Sequence, residues 1–508
     1  MKQQWMSPAT AVRRWAGISG SAPAVIYDDE TITFAELDDR VRRSAAVLAA
    51  GGVRAGDRVA YLGLNSPLFL ETLLAAAHLG ATFVPVNFRL APDEVAYVLG
   101  HSGCHSVVAE DGYRELIDGI AGAVPVRRFH VEGDDAGPVP EPPEPAVVDA
   151  GDVAVLMYTS GTTGRPKGVV LTYGNLWWNQ ANVHATIDIR PRAATLAVAP
   201  LFHIGGLNAF TLGVLCRGGA VVLRRSFDPD ACLRDIERYG VASTFMVPTM
   251  FAALLRSERF AGTDLSSLTA AVVAGAPVPA SLVTDYADRG VALQQAWGLT
   301  ETAPFATYLP PHLVREHPAS AGFAMPFSEV RVISPETGRP VGAGVAGELC
   351  VRGPNVTREY WDDPRATAAV IDADGWFRTG DLGYVDEQGL CYIVDRLSDL
   401  IISGGENISP AEIERVLIRF PGVRDVAVVG VADPTWGEVP VAALCHADAE
   451  PPTLDAVRSF VADHLGRFKR PAALVSLPAL PRNGSGKIDR SAVRARVAAT
   501  LPTESRIP

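Results

Sequence analysis

Val153-Ala154-Val155-Leu156-Met157-Tyr158-Thr159-Ser160-Gly161-Thr162-Thr163-Gly164-Arg165-Pro166-Lys167-Gly168 runs from an unbroken apolar stretch into a loop of small, hydroxylated residues. The apolar run 153–157 reads as a strand. In the loop, Gly161, Gly164 and Gly168 allow tight or left-handed backbone and close approach of a ligand. Thr159, Ser160, Thr162 and Thr163 bring hydroxyls, exposed N–H groups suit phosphate oxygens, and Lys167 adds a positive charge. Composition alone equally describes a Gly/Thr-rich hairpin turn. The loop is not a Walker loop, because Gly168 rather than Ser or Thr follows Lys167.

Outward from this segment, helix and strand signals alternate. Thr33-Phe34-Ala35-Glu36 is a capping box that opens a helix, with Leu37, Val41, Ala45 and Leu48 at helical spacing and Gly51-Gly52 at its end. Residues 58–62 read as a strand. This alternation predicts an α/β architecture with largely parallel strands. The stretch 132–151, rich in Pro, Glu and Asp, reads as a surface loop.

A smaller unit begins near Asp395. Ser409-Pro410-Ala411-Glu412 is a second capping box with proline at the first helical position, followed by an apolar stripe of Ile413, Val416, Leu417 and Phe420. Residues 423–429 and 439–445 read as strands, and Leu454, Val457, Phe460, Val461 and Leu465 as the stripe of another helix. The expected organisation is a large N-terminal domain, 1–395, and a small mobile α+β C-terminal domain, 396–508.

Composition narrows the function. A chain of 508 residues exceeds one compact core. A net charge of −12 argues against a nucleic-acid binder and against general attraction to anionic membranes. The six cysteines form no CxxC pair, so neither zinc nor a disulfide framework is expected. Residues 1–15 lack the apolar core of a signal peptide, and no uncharged apolar run reaches about 18 residues. A cytoplasmic protein without an integral membrane segment is the expectation; a homodimer stays open.

Further motifs follow in order: Pro200-Leu201-Phe202-His203-Ile204-Gly205-Gly206, Ala274-Gly275-Ala276-Pro277, Gln295-Ala296-Trp297-Gly298-Leu299-Thr300-Glu301, Trp376-Phe377-Arg378-Thr379-Gly380-Asp381, Asp395-Arg396, and Pro481-Arg482-Asn483-Gly484-Ser485-Gly486-Lys487-Ile488. With the loop at 158–168, this ordered set resembles the acyl-adenylate-forming superfamily: acyl-CoA synthetases, aryl-CoA ligases, luciferases and the adenylation domains of peptide synthetases. The resemblance covers nearly the whole chain. It implies a large adenylate-forming domain with a mobile lid. The implied activity is ATP- and Mg²⁺-dependent conversion of a small carboxylic acid to an acyl-adenylate, then transfer to coenzyme A.

The resemblance also implies roles. Thr159, Ser160, Gly161, Thr162, Gly164 and Lys167 would bind the ATP phosphates, with Thr163 catalytic. Gly275 and Ala276 would line the adenine and acyl sites. Trp297, where tyrosine is usual, would stack on adenine; Gly298 and Thr300 would contact nucleotide, and Glu301 would hold Mg²⁺. Asp381 would take the ribose hydroxyls, Arg396 the ribose or phosphate, and Lys487 would be the adenylation lysine. His203 would wall the carboxylate pocket, with Asn208, Met246, Ala303 and Phe305 as further pocket candidates. Each has a plainer reading: His203 as a structural histidine, Glu301 as a solvated surface carboxylate, Arg396 as an interdomain ion pair, Lys487 as a solvated lysine.

The sequence departs from the family at the hinge, where Ser398 stands in place of Asp or Lys. Ser403-Gly404-Gly405-Glu406-Asn407 and Trp436-Gly437-Glu438 remain typical of acyl-CoA synthetases, and no carrier-protein serine motif follows Lys487. Three alternatives stay open: transfer to a free-standing carrier protein, adenylation of another oxyanion such as nitrite to diazotise an arylamine, and a non-catalytic binding protein.

Overall fold

The computed structural model describes residues 6–133, 141–159, 166–403, 406–433, 435–447, 451–483 and 486–501. The chain forms two compact units. One takes the chain up to Arg331 together with Cys350–Arg378 and Gly389–Cys391; the other takes Val332–Leu349, Thr379–Gln388 and the chain from Tyr392 onward.

The first unit is built on two sheets. A six-stranded sheet runs in the order Arg128–Val131, Ser106–Ala109, Arg58–Leu62, Thr82–Val86, Val153–Thr159, Lys167–Thr172. Its strands are parallel except for the last pair, which is antiparallel. Thr82–Val86 is buried along its whole length, as expected for a strand covered on both faces. A nine-stranded sheet has parallel strands from Pro23–Tyr27 through Val221–Leu223, Ala194–Ala197, Val241–Met246 and Ala270–Val273 to Leu293–Gly298, with antiparallel strands added at both edges. The helix Phe34–Ala50 opens with the reciprocal Thr33–Glu36 box and buries Leu37, Val41, Ala45 and Leu48, the stripe read from spacing. The strand Arg58–Leu62 has the bounds read from sequence.

In the second unit, strands Val423–Asp433 and Gly437–His446 form a long antiparallel pair in a five-stranded sheet. Alternate residues face opposite sides. Val426 and Val428 pack with Ile413, Val416, Leu417, Val457 and Val461, while Ala427 and Val429 pack with Val493 and Val497 of the final helix. Ser409 caps Pro410–Leu417 by accepting from the Glu412 amide. The reciprocal half of the expected box is replaced: the Glu412 carboxylate accepts from Lys469 at 2.8 Å. The surface-loop reading of 132–151 needs one amendment, because Val148 is buried in the main core and the Pro143 carbonyl is tied to the His78 ring. Among the described residues, no helix is long and apolar enough to cross a membrane.

Asn65 ties the two sheets of the first unit together. It follows the strand Arg58–Leu62, and its Nδ2 donates to the carbonyls of Ala199 (3.1 Å) and Arg224 (3.2 Å). Its Oδ1 accepts from the Leu201 amide at 2.9 Å. These partners follow strands of the other sheet, and the site is buried. Asn65→Ala should therefore leave buried backbone groups without partners, at about 2 kcal/mol. Hydrogen exchange of the Leu201 amide should quicken roughly 30-fold; an unchanged rate would show that the side chain is not the tie.

Candidate functional site

The loop rich in glycine and threonine is the connection of an antiparallel hairpin. Val153–Thr159 pairs with Lys167–Thr172, with Thr159 opposite Lys167. The hairpin reading and the phosphate-loop reading are thus compatible: the ladder fixes both ends of the loop. Ser160, Gly161, Thr162, Thr163 and Gly164 lie outside the described residues. Beside the hairpin mouth, Tyr158 meets the His101 ring at 2.8 Å, and burial pushes its phenol far above the ordinary range, so it stays neutral. Lys167 places its Nζ 5.2 Å from the centroid of the Tyr360 ring, within cation–π range.

Tyr360 leads to Glu301. Its hydroxyl donates to Glu301 Oε1 at 2.8 Å. Its own segment is laced to the hairpin strand: the Val170 amide donates to Glu359 O and the Trp361 amide to Gly168 O. Thr357 joins the same strand through Oγ1 to Val170 O (2.6 Å), and its amide donates to Glu301 O (2.7 Å). Glu301 is 8% exposed, which removes the solvated-surface reading. A buried carboxylate needs partners or a cation, and Glu301 has a partner in the Tyr360 hydroxyl.

The backbone around Glu301 is irregular and is held by buried carboxamides. Asn175, Asn179 and Asn182 lie on one face of the helix Tyr173–Thr186 and are buried. Asn179 Oδ1 accepts from the Phe305 amide at 3.2 Å. Asn208 Nδ2 donates to Ala303 O at 2.6 Å. Asn355 Nδ2 donates to Thr302 O (2.8 Å) and Phe305 O (3.0 Å), while its Oδ1 accepts from Ser328 Oγ. Gly298 permits this packing, since a Cβ there would sit 1.9 Å from Pro304 O. Trp297, just before it on the strand Leu293–Gly298, is buried, and Thr300 is partly exposed. Gly275 takes φ +87° in an exposed turn after Ala270–Val273, with Ala276 exposed beside it.

His203 is half-buried at the start of the short helix Ile204–Gly206, its ring 4.2 Å from that of Phe202. Asn208, Met246 and Ala303 have no exposed surface. Asn208 is occupied with protein partners, accepting from Gln180 as well as donating to Ala303. These three stand behind the wall of the site in this structure.

In the second unit, Asp381 is buried and pairs with Arg396 Nε at 2.8 Å. The Arg396 ion pair is therefore made inside this unit. Lys487 is exposed on a turn, where its amide donates to Asn483 Oδ1 and its carbonyl accepts from the Asn483 amide; Gly484 and Ser485 lie outside the described residues. Asp395 Oδ2 accepts from Ser409 Oγ and from the Ala411 amide, so a carboxylate before the expected hinge caps the helix after it. Sequence reading missed Tyr360, Asn355 and the capping role of Asp395. The one usable signal was the row Asn175, Asn179, Asn182 at helical spacing on one face of a helix.

Residues 12–361 match the family described as AMP-binding enzyme, and residues 412–487 match the AMP-binding enzyme C-terminal domain. The chain is 44% identical over 485 residues to a feruloyl-CoA synthase of an Amycolatopsis species, covering 96% of this chain and 98% of the relative. It is 38% identical to an indoleacetate–CoA ligase of Aromatoleum aromaticum, covering 96% and 97%. Among solved structures, the o-succinylbenzoate coenzyme A synthetase of Bacillus subtilis in complex with ATP and magnesium ion superposes with a TM-score of 0.88 at 33% identity, covering 97% of this chain and 99% of that one.

If the carboxamides position Glu301, Asn355→Leu should act on chemistry as well as stability. It strips the donor from two buried carbonyls, at roughly 1–3 kcal/mol each. Displacement of the segment should slow acid-dependent pyrophosphate exchange by about 10–100-fold at temperatures where the variant stays folded. A destabilised variant with an unchanged exchange rate would reduce Asn355 to a packing role.

Proposed function

The chain belongs to the AMP-binding enzyme family, and on that premise we propose that the acid it activates is aromatic, of the size of a hydroxycinnamate or arylacetate. Its reaction is that of an AMP-forming acid–thiol ligase. A carboxylate displaces pyrophosphate from ATP to give an acyl-adenylate, and the thiol of coenzyme A then displaces AMP. The observation that carries the aryl reading is the similarity, over 96% of this chain, to two ligases named for aromatic acids, and the interior beside His203 is closely packed. Phe245 lies so close to Gly205 that a Cβ there would be 2.5 Å from its ring, and a Cβ at Gly206 would be 2.3 Å from Pro200 O. The Phe245 and Phe305 centroids are 6.2 Å apart. Gly205, Gly206 and Phe305 are buried, so this packing stiffens the interior behind His203. The two ligases are the feruloyl-CoA synthase and the indoleacetate–CoA ligase.

The first step brings together two anions, and the proposed roles follow from that. No general base is required, because the carboxylate is already ionised at pH 7. Thr159, Ser160, Gly161, Thr162, Thr163, Gly164 and Lys167 cradle phosphates at the hairpin. Trp297, Gly298, Thr300, Gly275 and Ala276 bind the nucleotide, Asp381 takes the ribose hydroxyls, and Arg396, its ion-pair partner, contacts the ribose or phosphate. His203 faces the acid, with Asn208, Met246 and Ala303 shaping the pocket from behind. Glu301 would hold Mg²⁺, which neutralises phosphate charge when bound. Lys487 lies between the substrate carboxylate and the α-phosphate during adenylation only.

The second step calls for a rotation of the C-terminal domain about Ser398. Ser398 is exposed, and its Oγ donates to Asp399 at 3.3 Å. Asp399 in turn pairs with Arg490 at 3.1 Å. Serine leaves this backbone free to turn although Asp or Lys is usual there.

Two measurements test these assignments. In a pyrophosphate-release panel, ferulate or indoleacetate should exceed hexadecanoate in kcat/KM by at least about tenfold, given ~1–3 kcal/mol for pocket fit; preference for hexadecanoate would reject the aryl reading. Lys487→Ala should slow adenylation by about two to three orders of magnitude. Supplied with synthetic acyl-adenylate and coenzyme A, it should still form thioester near the wild-type rate. Equal loss in both assays would mean that Lys487 serves both steps or the fold.

A further inference from the structure

We infer that Tyr360 is the positioning residue for the metal-binding carboxylate, an inference that rests on the reading of Glu301 as the Mg²⁺ ligand. A glutamate side chain at the edge of a short turn can rotate its carboxylate plane, and both oxygens can compete for one cation. Here the Tyr360 hydroxyl occupies Oε1 at 2.8 Å. The pair is buried, Tyr360 and Glu301 each being 8% exposed, so water competes weakly for that contact. That bond fixes the plane in which the carboxylate would meet the cation. Outer-shell hydrogen bonds of this kind fix ligand orientation and commonly carry 10–100-fold in metal affinity.

The phenol can act this way because its own position is determined from several sides. Its amide donates to Thr367 Oγ1 at 3.0 Å. Its neighbours Glu359 and Trp361 are hydrogen-bonded to Val170 and Gly168 of the hairpin strand. Lys167, at the start of that strand, lies over its ring. The hairpin that presents the phosphate loop and the carboxylate that would face the phosphates therefore share one rigid strut, although Tyr360 and Glu301 are 59 residues apart in sequence.

The test reads metal binding without turnover. Mn²⁺ is titrated into the full chain with a non-reacting ATP analogue, and free Mn²⁺ is followed by electron paramagnetic resonance. Tyr360→Phe keeps the ring under Lys167 and removes only the hydroxyl. The Mn²⁺ dissociation constant should rise about tenfold, with the KM for acid unchanged at saturating metal. Glu301→Gln should weaken Mn²⁺ binding further, and adding Tyr360→Phe to it should change nothing more, because the two residues act through one contact. Binding within twofold of wild type in Tyr360→Phe, or an additional loss in the double variant, would overturn the inference while leaving the Glu301 reading intact. Undiminished Mn²⁺ binding in Glu301→Gln would overturn the Glu301 reading itself, and this inference with it. A bond that serves only the fold would lower the melting temperature of Tyr360→Phe and leave Mn²⁺ affinity where it was.

Discussion

The site depends on side-chain amides that hold the irregular backbone following the strand Leu293–Gly298. The short turn Thr300–Thr302 satisfies the amides of Thr302 and Ala303, but the carbonyls of Thr302, Ala303 and Phe305 and the Phe305 amide bond side chains instead, and all three residues are buried. Asn355, Asn208 and Asn179 supply the missing partners. Each such bond adds only about 1 kcal/mol net, but an unmade one costs roughly 1–3. The network is therefore stable mainly as a whole. Its result is a turn, carrying Glu301, whose shape is set by residues far away in the chain. Gly298 is part of the same constraint, since any side chain there would strike Pro304 O.

The parts legible in the sequence were those written locally. The Thr33–Glu36 box, the helix stripe that follows it, the strand at 58–62 and the strand before the phosphate loop all depend on neighbours within a turn or two. The family was legible in a different way, through ordered motifs, and it is the one the chain belongs to. Partners across long separations were not legible. Nothing in the spacing around Tyr360 announces a bond to Glu301, and nothing around Asn355 announces carbonyls some 50 residues upstream. Glu412 shows the converse: its motif predicts a reciprocal cap, yet a lysine 57 residues downstream draws the carboxylate away. Tertiary charge outweighed a local preference worth about 1 kcal/mol.

The chemistry explains why such rigidity is concentrated here. Joining a carboxylate to a phosphate needs no proton transfer, so the protein contributes position and compensating charge. Dipoles and charges that are already aimed need not reorganise during the reaction. The acceptor step makes the opposite demand, because coenzyme A must reach the adenylate. The exposed stretch at Ser398 and the exposed turn of Lys487 contrast with the buried surroundings of Glu301.

The central claim is that adenylation is carried out at the carboxylate of Glu301 on this braced turn. The most direct measurement is acid-dependent exchange of labelled pyrophosphate into ATP, without coenzyme A, for the wild-type protein and Glu301→Gln. The account predicts exchange that requires an aryl acid and falls by about 10²–10³ in the variant, the scale of one lost transition-state charge contact, with an unchanged thermal melt. Exchange by Glu301→Gln at the wild-type rate across the Mg²⁺ range would contradict it.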